Sequence, residues 1–144
     1  MEERLAMGNP VVMLVEDFAD TREMMRHVLE RGGCRVLEAA NGQEAIELAQ
    51  REHVDLILMD LNMPVLDGFT ATLRIREYEP TRDVPVVAVT AFDTAEFRAA
   101  ATAVGCSDYI VKPLDFERLS SILRQFLSRV APPPPPLAQT EGTA

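Results

Sequence analysis

Asp55-Leu-Ile-Leu-Met-Asp60-Leu-Asn-Met-Pro64 is the stretch on which the fold turns. It begins as a short apolar run that ends in a carboxylate. It continues into a turn closed by a proline, which neither a helix nor a central strand would accommodate. A run of this length bounded by polar residues fits a strand buried on both faces. Leu56–Asp60 is therefore predicted as a strand that carries Asp60 to its own C-terminal tip. The same pattern recurs on either side. Val11–Val15 runs into Glu16-Asp17, Val86–Thr90 into Ala91, and Asp108–Val111 into Lys112-Pro113. Arg35–Ala39 is the fifth strand expected, and its polar composition suits a sheet edge.

Between these runs lie segments of helical period, predicted at Thr21–Arg31, Gly42–Glu52, Gly68–Arg76, Thr94–Val104 and Asp115–Val130. Met24 and Met25 pair with Val28 and Leu29 at i,i+4 spacing, and Ala45, Leu48 and Ala49 form a second stripe. Asn41 is placed to cap the second helix, and Gly32-Gly33 and Gly105 fall where helices should stop. Strict alternation of strands and helices, with nearly continuously apolar strands, implies a doubly wound α/β fold. That is a five-stranded parallel sheet with helices on both faces. No internal repeat is visible.

The 144 residues fit one domain, large enough to bury roughly 70% of the unfolded surface. A net charge of −9 argues against nucleic acid, whose phosphates need a basic face. The segment Met1–Gly8 has no apolar stretch long enough for a signal peptide, and no run approaches a membrane span. Cys34 and Cys106 are far apart, with neither a CxxC partner nor a nearby histidine, so two reduced thiols and a cytoplasmic protein are expected. His27 and His53 read as surface or packing residues. From Ala131 the composition changes. The prolines Pro132–Pro136 favour an extended conformation, and residues 131–144 are expected to form a disordered tail.

Lys112 is the only lysine in a chain that takes its other basic residues as arginine. An ammonium is a compact point charge where a guanidinium is a planar fork, so the choice suggests a specific need. In an open doubly wound sheet, ligands bind beyond the carboxyl ends of the strands. That rim would gather Glu16, Asp17, Asp60, Thr90, Ala91 and Lys112. Three carboxylates there would repel one another. A hard divalent cation such as Mg²⁺, which takes carboxylate, water and phosphate oxygens at about 2.0–2.1 Å, would relieve the repulsion. The Thr90 hydroxyl, the Ala91 N–H and the Lys112 ammonium could each take one phosphoryl oxygen.

These motifs together resemble the receiver domain of bacterial two-component response regulators. They are Glu16-Asp17, Met59-Asp60-Leu-Asn-Met-Pro64 with Asp67-Gly68, Thr90-Ala91, and Tyr109-Ile-Val-Lys112-Pro113, and the likeness runs over residues 10–130. It implies a flavodoxin-like strand order 2-1-3-4-5, with Asp60 as phosphoacceptor. It also implies a Mg²⁺ site of Glu16, Asp17, Asp60 and the backbone carbonyl of Asn62. Thr90 and Lys112 would read the phosphate, Tyr109 would move with Thr90, and Pro113 would follow a cis peptide. By the same resemblance the phosphodonor is a histidine kinase or a histidine phosphotransfer protein. The signal would leave to a downstream protein, since residues 1–9 and 131–144 leave no room for an output domain. The chain is expected to be a monomer or a weak, phosphorylation-dependent dimer that binds neither nucleic acid nor membrane.

Two other functions suit a parallel sheet with an acidic rim. A haloacid-dehalogenase-type phosphatase would use Asp60 as nucleophile, with a general acid two residues later, where this chain has Asn62. A flavodoxin-like carrier would have to hold a flavin phosphate in the first loop, where Glu16-Asp17-Phe-Ala-Asp20 would repel it. The switch is therefore preferred. Its lifetime is expected to depend on Asn62 and Phe92, two residues beyond Asp60 and Thr90. Asn62 could hold a water, and the apolar Phe92 would screen its approach.

Overall fold

The computed structural model describes residues 9–63, 66–113 and 115–127. Five strands form one parallel sheet: β1 Val11–Val15, β2 Arg35–Ala39, β3 Leu56–Asp60, β4 Val86–Thr90 and β5 Asp108–Val111. Their order is β2-β1-β3-β4-β5, so the chain first winds outward from β1 to β2 and then reverses. That reversal leaves a crevice at the carboxyl ends of β1 and β3. The register sets Val15 beside Met59 and Asp60 beside Val89, which brings the tips of β1, β3 and β4 to one level.

The helices are α1 Ala19–Arg31, α2 Gly42–Arg51, α3 Gly68–Glu77, α4 Ala95–Val104 and α5 Phe116–Leu127. Side chains alternate across the strands and divide the core in two. Met13, Ile57, Met59 and Ala88 pack with Ala45, Ala49, Ala71, Ile75 and Ala101 of α2, α3 and α4. Val12, Leu14, Leu56, Leu58, Val87 and Val89 face Met25 and Leu29 of α1 and Leu119 and Ile122 of α5. Each large side chain buried this way contributes about 1.5–3 kcal/mol. β1, β3 and β4 are buried at every position, whereas in β2 only Ala39 is buried and Arg35 and Glu38 are exposed, as an edge strand should be.

All five strands coincide with their predicted bounds. The helix ends differ by a few residues for local reasons. α1 begins at Ala19, before Thr21, and α4 at Ala95, because the Thr94 hydroxyl accepts the Phe97 N–H and so caps the helix from outside. Asn41 caps α2 as expected, its side chain accepting the Glu44 N–H. Gly105 ends α4 with φ 107°, a left-handed conformation that glycine adopts without strain. A 3-10 turn at Glu79–Thr81 was not anticipated. Pro64, Leu114, the predicted end of α5 at Val130 and the proline-rich tail lie outside the described residues. Lys112–Pro113 is a cis peptide. No helix among the described residues is long and apolar enough to cross a membrane.

Candidate functional site at the carboxyl ends of the strands

Glu16, Asp17 and Asp60 meet at the crevice, each offering a carboxylate oxygen, with those oxygens within 4.8 Å of one another. Asp60 is there because β3 ends on it, and Glu16 because it follows the last residue of β1. Both are almost fully buried, at 3% and 2% exposure, while Asp17 faces solvent. The Glu16 N–H donates to the Ala39 carbonyl at 3.0 Å, so the end of the edge strand holds the acidic turn.

Lys112 offsets part of this charge. Its Nζ lies 3.0 Å from Glu16 Oε1 and 3.4 Å from Asp60 Oδ2. The Asn62 N–H donates to Asp60 Oδ1 at 3.0 Å. Burial pushes the Asp60 carboxyl up from 3.8 to about 6. The Asn62 N–H opposes that shift, Glu16 adds to it, and Lys112 resists it. Burial works against the charge on Lys112, yet the bond to Glu16 and the fields of Asp60 and Glu16 outweigh it, and its pKa is raised. Above about pH 6, Asp60 is thus an ionised carboxylate in a poorly solvated place. One oxygen is oriented by a backbone N–H and the other faces an ammonium.

A second set of contacts leads away from the crevice. Thr90 is fully buried, and its hydroxyl accepts the Phe92 N–H at 3.2 Å. The Phe92 carbonyl in turn accepts the Tyr109 hydroxyl at 2.6 Å. Phe92 therefore links the threonine at the tip of β4 to the tyrosine on β5. Ala91, between Thr90 and Phe92, is exposed. Around this link Phe97 of α4 contacts three rings: Phe69 at 5.0 Å, Phe92 at 5.3 Å and Tyr109 at 6.4 Å. The Arg98 guanidinium lies 4.5 Å from the centroid of the Tyr109 ring.

The predicted residues thus fall into two groups. Glu16, Asp17, Asp60, Asn62 and Lys112 are together, and Thr90, Phe92 and Tyr109 are joined by hydrogen bonds. The Thr90 hydroxyl is turned to the Phe92 N–H, and Asn62 meets Asp60 through its N–H. Sequence reading missed Phe97, whose apolar ring on a helix reads as packing. It also missed Arg22, whose Nη1 donates to the Glu16 carbonyl at 2.8 Å. His27 and His53 are exposed, and His53 pairs with Asp55 at 2.7 Å, away from this rim.

A strand-order reversal with buried acids and an ammonium at its crevice defines a class of phosphoryl-handling switch modules. Within that class, residues 12–124 match the response regulator receiver domain, and the chain belongs to this family. It is a phosphorelay signalling switch, not a conventional enzyme. The polar-differentiation response regulator DivK of Brucella ovis is 34% identical over 116 residues, covering 81% of this chain and 94% of DivK. The receiver domain of the sensor histidine kinase PA1611 from Pseudomonas aeruginosa is 36% identical with a TM-score of 0.79, covering 84% of this chain and 99% of that one. Its crystal structure has a magnesium ion coordinated in the active site cleft. The receiver domain of the Saccharomyces cerevisiae response regulator Ssk1, crystallised with the histidine phosphotransfer protein Ypd1, is 28% identical with a TM-score of 0.79. That match covers 85% of this chain and 92% of the other.

Proposed function

We propose that this receiver accepts a phosphoryl group on Asp60 from a phosphohistidine of a histidine kinase or a histidine phosphotransfer protein. The supporting observation is the setting of Asp60: nearly buried at a strand tip, with one oxygen held by the Asn62 N–H and the other beside Lys112. A carboxylate oxygen of Asp60 attacks phosphorus, the P–N bond breaks, and its electron pair returns to the imidazole nitrogen. The phosphoaspartate carries about −1.5 to −2 charges. Lys112 already stands at the Asp60 carboxylate and can shift its pairing to the phosphoryl oxygens. Water later attacks phosphorus and the acyl P–O bond breaks, its electron pair returning to the Asp60 carboxylate, and inorganic phosphate leaves with the water's oxygen.

The donor set suits Mg²⁺, because Glu16, Asp17 and Asp60 are hard oxygen ligands converging on one point. Those three would hold the ion, with the Asn62 carbonyl as a further ligand, and the ion would offset charge developing on the phosphoryl oxygens. Thr90 is proposed to release the Phe92 N–H when its hydroxyl turns to the phosphoryl group. Phe92 then passes the change to Tyr109, and so to the face made by α4, β5 and α5. Phosphate acts there only through its preference for one of two states. The presence of Ypd1 on a similar receiver supports a phosphotransfer protein as the donor.

Incubation with acetyl phosphate and Mg²⁺, followed by intact-protein mass measurement, tests the assignment. One phosphoryl group is expected on the wild type and none on Asp60→Asn. Equal labelling of the two proteins would remove Asp60 from the role.

A further inference from the structure

Arg22 is on the first turns of α1, and its guanidinium spans two partners. Nη1 donates to the backbone carbonyl of Glu16 at 2.8 Å, and Nε donates to Glu38 Oε1 on β2 at 3.1 Å. The other oxygen of Glu38 takes Arg26 Nε at 3.1 Å, and Arg26 Nη1 donates to Glu30 at 3.2 Å. The end of β2 thus holds Glu16 from two sides. The Ala39 carbonyl takes its N–H directly, while the Glu38 carboxylate holds the arginine that donates to its carbonyl. The Glu16 side chain is held as well. One carboxylate oxygen takes Lys112 Nζ at 3.0 Å, and the other accepts the Phe18 N–H at 3.2 Å.

We infer that Arg22 is a positioning residue for the divalent cation site, fixing the Glu16-Asp17 backbone so that the acidic side chains converge. The inference rests on the cation reading given under Proposed function, and goes beyond it in assigning a role to a residue that touches neither ion nor phosphate. Two features of the arrangement carry it. First, the bond is to the backbone of a proposed ligand, and partners one step behind a metal ligand commonly govern affinity. Second, the charges in the brace cancel: Arg22 and Arg26 are matched by Glu38 and Glu30. The brace therefore orients the loop without placing a net positive charge behind a cation site.

The sign of the effect makes the inference testable. Removing a cation from the neighbourhood of a Mg²⁺ site should by itself tighten binding, because like charges repel. Removing a positioning bond should loosen it. Calorimetric titration of the unphosphorylated chain with MgCl₂, alongside melting of the same proteins in EDTA, separates the two. Arg22→Met is expected to weaken Mg²⁺ binding about tenfold, at the low end of effects seen for such partners. Arg26→Met, which shares Glu38 but makes no bond to Glu16, is expected to bind within about twofold of the wild type, even if both variants melt earlier in EDTA. Arg22→Lys keeps the charge but cannot span both partners, and should fall between; it also serves if Arg22→Met does not fold. Unchanged or tighter binding by Arg22→Met, or an equal loss in Arg26→Met, would overturn the inference while leaving the cation site standing. A wild type that takes up no Mg²⁺ would overturn the site and the inference together.

Discussion

Asp60→Asn removes a charge that the fold holds at some cost, and the cost depends on pH. The carboxyl is raised from 3.8 to about 6 in the folded state, chiefly by burial. A carboxyl that ionises less readily folded than unfolded weakens the fold as pH rises through the interval between those two values. Below that interval both states keep the proton and there is no penalty; above it both have lost the proton and the penalty is complete. The metal-free Asp60→Asn protein is therefore expected to be more stable than the wild type at about pH 8, by at most about 3 kcal/mol. The gain should vanish toward about pH 4. Lys112 keeps Glu16 as a partner in this variant, so no ammonium is stranded. Urea unfolding in EDTA across that range measures the difference, and a variant no more stable at the alkaline end would contradict the electrostatic account. At this scale much of the site was legible, because Asp60, Thr90 and Lys112 each end or follow an apolar run. Arg22 and Glu38 were not, because charged residues on a helix and an edge strand have the composition of any solvated face. Their role comes from the fold, which sets Glu38 of β2 against Arg22 of α1 and Arg22 at the Glu16 carbonyl.

Among the elements, strands were easier to read than helix ends. A parallel strand buried on both faces must be almost continuously apolar, so its bounds are written into β1, β3 and β4, with the polar Asp60 and Thr90 standing only at the last positions of β3 and β4. The start of a helix is decided by a few capping bonds, such as Thr94 to Phe97, which periodicity does not reveal. The turn at Glu79–Thr81 was hidden because Glu79-Pro80-Thr81 has the composition of a plain loop. Gly68 shows a tighter constraint at the start of α3. A Cβ there would collide with the Asp60 carbonyl oxygen and lie 2.7 Å from Leu61 Cα, so the helix can approach the tip of β3 only through glycine. The loop from β4 to α4 carries an expectation of its own. Phe92 is held there by both backbone hydrogen bonds and by its ring contact with Phe97, yet it is 47% exposed. An apolar ring so placed offers no hydrogen bond to an incoming water. Phe92→Glu is therefore expected to lose phosphate about tenfold faster, equivalent to about 1.4 kcal/mol of barrier. The decay of phosphorylated protein after the donor is removed compares the two. Equal rates, or a slower variant, would show that the ring at position 92 does not guard the site.

For the whole molecule, the decisive property is that an acidic chain of net charge −9 concentrates three carboxylates at the reversal of its sheet. The exact strand order was readable only through the family resemblance, since alternating strands and helices specify a parallel sheet with helices on both faces but not which strands are neighbours. Given that order, the rim becomes the place where one ion can stabilise the entire fold. A ligand that binds only the folded state, present at about ten times its dissociation constant, adds about 1.4 kcal/mol. For a domain of this size that corresponds to a rise of about 5 °C in the melting temperature. General screening of the negative charge would also raise it, so the comparison must be made at matched ionic strength. With NaCl as the reference, Mg²⁺ is expected to produce the additional rise in the wild type and to lose most of it in Asp17→Ala. Asp17 is the right position to change because it is exposed, so its removal takes away one proposed cation ligand and leaves the Glu16–Lys112–Asp60 contacts in place. A full Mg²⁺-specific rise in that variant would mean that the ion stabilises the protein from somewhere other than the tips of β1 and β3.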